Sequence, residues 1–182
     1  MITRGLVDAE HHTFLISAAD TDPTETYSEG QVFDAGNNLI SVHTGIAYGP
    51  VNVILEQLSG DDDMFLNGGP AIDLDAWDNV EEVHVVCRQP MLFITLSNEI
   101  VEEFGELTSP IGARCFRIAT RGRAEHWDMD VDSATEDYLI QTSARWQPVD
   151  DPRDQSHRRC VARRTLNRRL PTTLTGTPVL KE

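Results

Sequence analysis

Gly112-Ala113-Arg114-Cys115-Phe116-Arg117-Ile118-Ala119-Thr120-Arg121-Gly122 is bounded by glycines and alternates in character along its length. Successive side chains of an extended chain point to opposite sides. Phe116 and Ile118 therefore fall on one face, and Cys115 and Arg117 on the other. This is a strand with one apolar and one basic face. Val80-Glu81-Glu82-Val83-His84-Val85-Val86-Cys87 has the same period, with Val83, Val85 and Cys87 sharing a face. Beyond the Gln89-Pro90 break, Met91-Leu92-Phe93-Ile94-Thr95-Leu96 reads as another strand, and Tyr138-Leu139-Ile140-Gln141-Thr142 as the last.

The earlier residues follow suit. His12-Thr13-Phe14-Leu15-Ile16-Ser17 predicts a strand opened by two histidines whose rings would face opposite sides of the sheet. The polar loop Asp20-Thr21-Asp22-Pro23-Thr24 comes next, then strand-like Gly30-Gln31-Val32-Phe33-Asp34 and the turn Gly36-Asn37-Asn38. Leu39 to Thr44 and Val51 to Glu56 complete the series. Short strands at roughly ten-residue spacing predict an all-β fold, an antiparallel β-sandwich or a partly open barrel. Residues 100–107 carry apolar side chains at helical intervals instead, so one short helix is expected near 99–106.

Forty per cent apolar residues in 182 suffice for the core of one domain. No apolar run reaches membrane-spanning length, and the first residues lack the apolar core of a secretory signal, which together predict a cytoplasmic protein. Charge is unevenly spread. Residues 1–150 hold 27 acids against seven arginines, a net of −20, whereas residues 151–182 hold eight bases against three acids, a net of +5. The expected organisation is an acidic β domain over 1–149 and a basic, flexible tail over 150–182, where Arg158-Arg159, Arg163-Arg164 and Arg168-Arg169 recur at five-residue spacing. Tethering favours docking of that tail on its own acidic body over binding to nucleic acid.

No pattern in the chain commits to catalysis. Asp128-Met129-Asp130-Val131-Asp132 opens like a calcium loop, but Ser133 stands where that loop needs glycine and Leu139 where it needs a bidentate glutamate. It reads as an exposed acidic loop. Asp61, Asp62 and Asp63 are consecutive, cannot all converge on one ion, and read as a solvated turn. The six histidines form no metal-binding tract, and no phosphate-cradling glycine run occurs. Cys87 and Cys115 sit in apolar runs and read as buried thiols, with Cys160 in the tail. Neither a catalytic residue nor a cofactor is expected.

Three segments together resemble a known family: Trp77-Asp78-Asn79-Val80-Glu81-Glu82-Val83, the strand from Gly112 to Arg123, and Glu136-Asp137-Tyr138-Leu139-Ile140-Gln141 running on to Trp146. They resemble a group of bacterial β-sandwich proteins common in actinobacteria. That group is similar to the competence protein J family, best known for inhibiting the nuclease that accompanies DNA uptake. Cys115 stands where that pattern has a tyrosine. The resemblance covers residues 6–147 and implies an all-β fold and a nuclease-inhibitor-like role.

The expectation is a non-enzymatic, acidic protein-interaction module that inhibits or modulates a basic nuclease or toxin. A β-barrel or sandwich binding a small molecule is the alternative, and a hydrolase with residues from separate strands stands last. Direct nucleic-acid binding is not expected of a body this acidic. The residues expected to face a partner are Asp61, Asp62, Asp63, Asp128, Asp130, Asp132, Glu136 and Asp137. Trp77, Tyr138 and Trp146 are expected to be structural anchors.

Overall fold

In the computed structural model, residues 1–19, 21, 22, 24, 26–58, 72–107 and 112–144 are described, with the side chains of residues 27–29, 84, 113 and 144 excepted. Asp61 to Asp63, Trp146 and the arginine tail lie outside these residues. The strands are β1 (Ile2–Glu10), β2 (Thr13–Ser17), β3 (Thr26–Glu29), β4 (Phe33–Gly36), β5 (Leu39–His43), β6 (Tyr48–Leu58), β7 (Asn79–Cys87), β8 (Leu92–Ile94), β9 (Gly112–Arg121) and β10 (Asp137–Ala144). They form one ten-stranded sheet in the order β3-β4-β5-β2-β1-β6-β10-β9-β7, with β8 pairing β2 off that path. The sheet curls into a nearly closed barrel.

The all-β expectation is met, in its barrel form, with one departure from antiparallel pairing. β10 runs parallel to β6, Tyr138 beside Val53 and Ile140 beside Leu55, and antiparallel to β9. Where a short helix is expected, the chain makes a single 3-10 turn, Glu102–Phe104. That turn buries Phe104 and leaves its two glutamates exposed.

The apolar faces read from the sequence are the barrel interior. Val83, Val85 and Cys87 of β7, Phe116 and Ile118 of β9, and Tyr138 and Ile140 of β10 all lie in one buried cluster with Val7, Phe14, Ile16, Val51, Val53 and Leu55. A run of rings crosses it: Phe104 on Phe93 at 4.4 Å, Phe93 on Phe14 at 6.3 Å, and Phe14 edge-on to Tyr138 at 5.4 Å. The opposite faces of β6, β10, β9 and β7 carry a hydrogen-bonded polar row. Gln141 donates to Glu56 (2.7 Å), Arg117 donates to Gln141 (3.1 Å), and Arg117 donates to Glu82 (2.8 Å). The basic face of β9 is thus neutralised by its neighbours across the sheet.

The two ends of the sheet meet at a seam between β7 and the β3–β4 segment, bridged partly by a side chain. Glu81 is fully buried and accepts from the backbone N–H groups of Gln31 (3.2 Å) and Val32 (3.3 Å). The Asn38 N–H donates to the Val86 carbonyl at 3.1 Å, beside the turn from β4 to β5. A Cβ at Gly30 would come within 2.5 Å of the Glu81 carboxylate, so close approach requires glycine there.

Candidate functional site

β1 and β2 are joined by a two-residue turn, His11-His12, with φ of 49° and 63°. Both residues are left-handed, the pattern of a hairpin turn that Asn-Gly usually fills. The histidines therefore do not open a strand as the sequence reading had it. They cap a hairpin: the His11 ring meets Tyr48 of β6, and the His12 ring projects from the tip onto a neighbouring loop.

That neighbour is the connection from β9 to β10. Its Asp128 is also left-handed, with φ of 61°. Residues 44–47, between β5 and β6, tie the two together. The His12 N–H donates to the Ala47 carbonyl (3.1 Å), the Asp128 N–H to Gly45 (2.8 Å), the Ala47 N–H to Met129 (2.8 Å) and the Val131 N–H to Tyr48 (2.9 Å). Side chains complete the join. His12 Nε2 lies 3.0 Å from Asp128 Oδ1 and Nδ1 lies 3.2 Å from the Gly45 carbonyl, while the His12 ring stacks on Trp127 at 5.7 Å. The Tyr48 hydroxyl sits 2.7 Å from the His11 ring nitrogens, with the rings edge to face at 4.8 Å.

The resulting platform exposes large apolar side chains among carboxylates. Trp127 is 63% exposed, Met129 51% and Tyr48 39%. Glu125, Asp128, Asp130 and Asp132 stand exposed on the same connection. Exposed aromatic and methionine side chains ringed by charge are what protein-binding surfaces are made of.

Glu136 braces this platform from below. Contrary to the expectation that it faces a partner, Glu136 is fully buried. Its carboxylate accepts from the N–H groups of Gly45 (3.1 Å) and Ile46 (2.7 Å) and from the Tyr138 hydroxyl (2.6 Å). Four residues after the last exposed aspartate, the chain turns inward, and a carboxylate that satisfies three donors can be buried. A Cβ at Gly45 would lie 1.9 Å from the Arg123 carbonyl, so only glycine fits between these segments. Burial pushes the Tyr138 hydroxyl well above the usual phenol range; the Glu136 carboxylate adds to this and Arg123 opposes it. Tyr138 therefore stays a donor, and lies in the core as an anchor.

Asp137 takes an intermediate position. It accepts from Arg121 (2.7 Å) and Asn52 (2.9 Å) on adjacent strands, with Arg121 lying 5.2 Å over the ring of Trp77. The structure thus brings Asp128, Asp130 and Asp132 onto the platform, turns Glu136 inside, and engages Asp137 in the sheet. Sequence reasoning passes over Trp127, Tyr48 and Met129. The available signal is a tryptophan set in a polar, acidic connection with no alternating apolar neighbours to bury it.

Among the described residues no group of three or more His, Cys, Asp or Glu is arranged to hold a metal ion, and no helix is long and apolar enough to cross a membrane. No family model and no curated protein matches the chain. Among solved structures it is similar to the crystal structure of ComJ, inhibitor of the DNA degrading activity of NucA, from Bacillus subtilis. The identity is 14% and the TM-score 0.45, over 80% of this chain and 99% of that one.

Proposed function

We propose that this chain is a protein-interaction module whose platform of Tyr48, Trp127, Met129, Asp128, Asp130 and Asp132 binds a basic protein, inhibiting or modulating a nuclease or toxin. The observation that carries this reading is the exposure of Trp127 and Met129 among carboxylates at a loop junction hydrogen-bonded from beneath by Glu136. An apolar centre within a charged rim is the anatomy of an interface hot spot. The −20 balance of residues 1–150 adds long-range attraction for a basic surface, speeding encounter at low salt.

A nuclease is the partner class to test first, on chemical grounds. Its cleft holds a polyanion and is lined with cations, so an acidic protein surface can occupy it. The test is DNA degradation by an extract of the native host, with and without added chain. The reading predicts slower degradation in proportion to the chain added, an effect that fades as salt rises. Degradation unchanged at every salt concentration contradicts a nuclease as the partner.

A further inference from the structure

The barrel contains a finished example of what the platform offers half-made. On the sheet, the Arg121 guanidinium lies 5.2 Å over the ring of Trp77 while its Nε donates to Asp137 at 2.7 Å. An indole face and a carboxylate together hold one arginine. At the platform, Trp127 stacks one ring face on His12 and remains 63% exposed. The Asp128 side chain is 71% exposed, with one oxygen engaged by His12, and Asp130 is exposed two residues on. No arginine or lysine among the described residues lies over Trp127.

We infer that Trp127 with Asp128 and Asp130 forms a receptor for an arginine side chain of the basic partner. The guanidinium would lie on the indole face turned away from His12 and donate to the flanking carboxylates. This rests on the proposed binding of a basic protein and names the residue that the partner inserts. Arginine is chosen over lysine because a planar, weakly hydrated guanidinium stacks on an indole while forking to a carboxylate, whereas a compact ammonium keeps its water. The stacking of His12 on Trp127 holds the indole in one orientation, which lowers the cost of ordering it on binding.

The full chain is titrated at low salt with three blocked pentapeptides, acetyl-Gly-Xaa-Gly-Xaa-Gly-amide, where Xaa is arginine, lysine or citrulline. Binding is followed by the indole N–H signals in NMR, with that of Trp127 assigned by its loss in Trp127→Leu. The arginine peptide should move the Trp127 signal and bind roughly fivefold more tightly than the lysine peptide, the size of an exposed cation–π contact. The citrulline peptide should not bind. Trp127→Leu should abolish the preference for arginine over lysine, and Asp128→Asn with Asp130→Asn should weaken both peptides. Equal binding of the arginine and lysine peptides with an unmoved Trp127 signal would overturn the receptor while leaving a charge-driven interaction intact. Failure of both cationic peptides to bind would overturn the receptor and the charge-driven interaction together.

Discussion

His11 and His12 occupy backbone space that costs an ordinary residue of order 1 kcal/mol each. Non-glycine residues persist in such a conformation when surrounding structure over-determines it, and such positions gather at binding sites. His12 is held by Asp128, Gly45 and Trp127 together, whereas His11 meets Tyr48 at the surface. His11→Asn, a residue that tolerates the left-handed region, should stabilise the fold by about 0.5–1 kcal/mol. It should appear as a higher urea midpoint with an unchanged slope; a lower midpoint would mean that the Tyr48 contact outweighs the backbone strain. Glu136→Gln should do the opposite. An amide in place of the carboxylate turns a donor toward the N–H groups of Gly45 and Ile46 or the Tyr138 hydroxyl, at a cost of about 1–3 kcal/mol. The exposed Asp130→Asn should leave the urea midpoint within about 0.5 kcal/mol of wild type. At this scale the sequence is least informative. Asp132 and Glu136 are both acids in one short stretch, and only the path of the chain puts one in water and the other under Gly45.

Among the elements, strands with an alternating pattern or a short continuous apolar run are legible, and a strand with neither is not. β7, β9 and β10 present Val83, Val85, Phe116, Ile118, Tyr138 and Ile140 to one core at every second position, so periodicity finds them directly. β1 hides because its apolar residues do not alternate. Ile2 and Leu6 point outward and are exposed, while inward positions carry Thr3, Gly5, Val7 and Ala9. The helical spacing of residues 100–107 is real but too short to sustain a helix beyond one turn, and the cluster keeps Phe104 and Leu107 as plugs. The thiol on β7 gives this scale a measurable consequence. Burial pushes Cys87 up to about 11, with Arg114 opposing. Above pH 9.0 the unfolded chain releases that proton while the folded chain keeps it. The unfolded state then binds fewer protons, and stability falls as pH rises. Between pH 9.0 and about 11 this should cost about 2 kcal/mol, read from urea midpoints, and Cys87→Ala should remove that part of the slope. A slope identical in Cys87→Ala would contradict a desolvated thiol.

Over the whole molecule, what matters is the division of charge, which is fully legible in the sequence because it needs no fold. If the tail docks on its own acidic body, as tethering favours, its six paired arginines compete with a basic partner. Replacing Arg158, Arg159, Arg163, Arg164, Arg168 and Arg169 with glutamine in the full chain should raise affinity for a basic partner severalfold at low salt. Unchanged affinity would leave the tail without a role in binding. What the sequence does not reveal is where on the barrel the proposed binding surface lies. The platform joins a hairpin tip, the residues before β6 and the connection before β10, segments more than 100 residues apart at their extremes, as in the His12–Asp128 contact.

The central claim is that this platform captures a basic protein by charge and exposed aromatic surface together. Its most direct test is capture from native-host lysate on the immobilised full chain, wild type beside Trp127→Ala/Asp128→Asn/Asp130→Asn, at low and high salt. The account predicts a basic protein retained by wild type at low salt, released at high salt, and not retained by the triple variant. Retention of the same proteins by both chains, or of no basic protein by wild type, would contradict it.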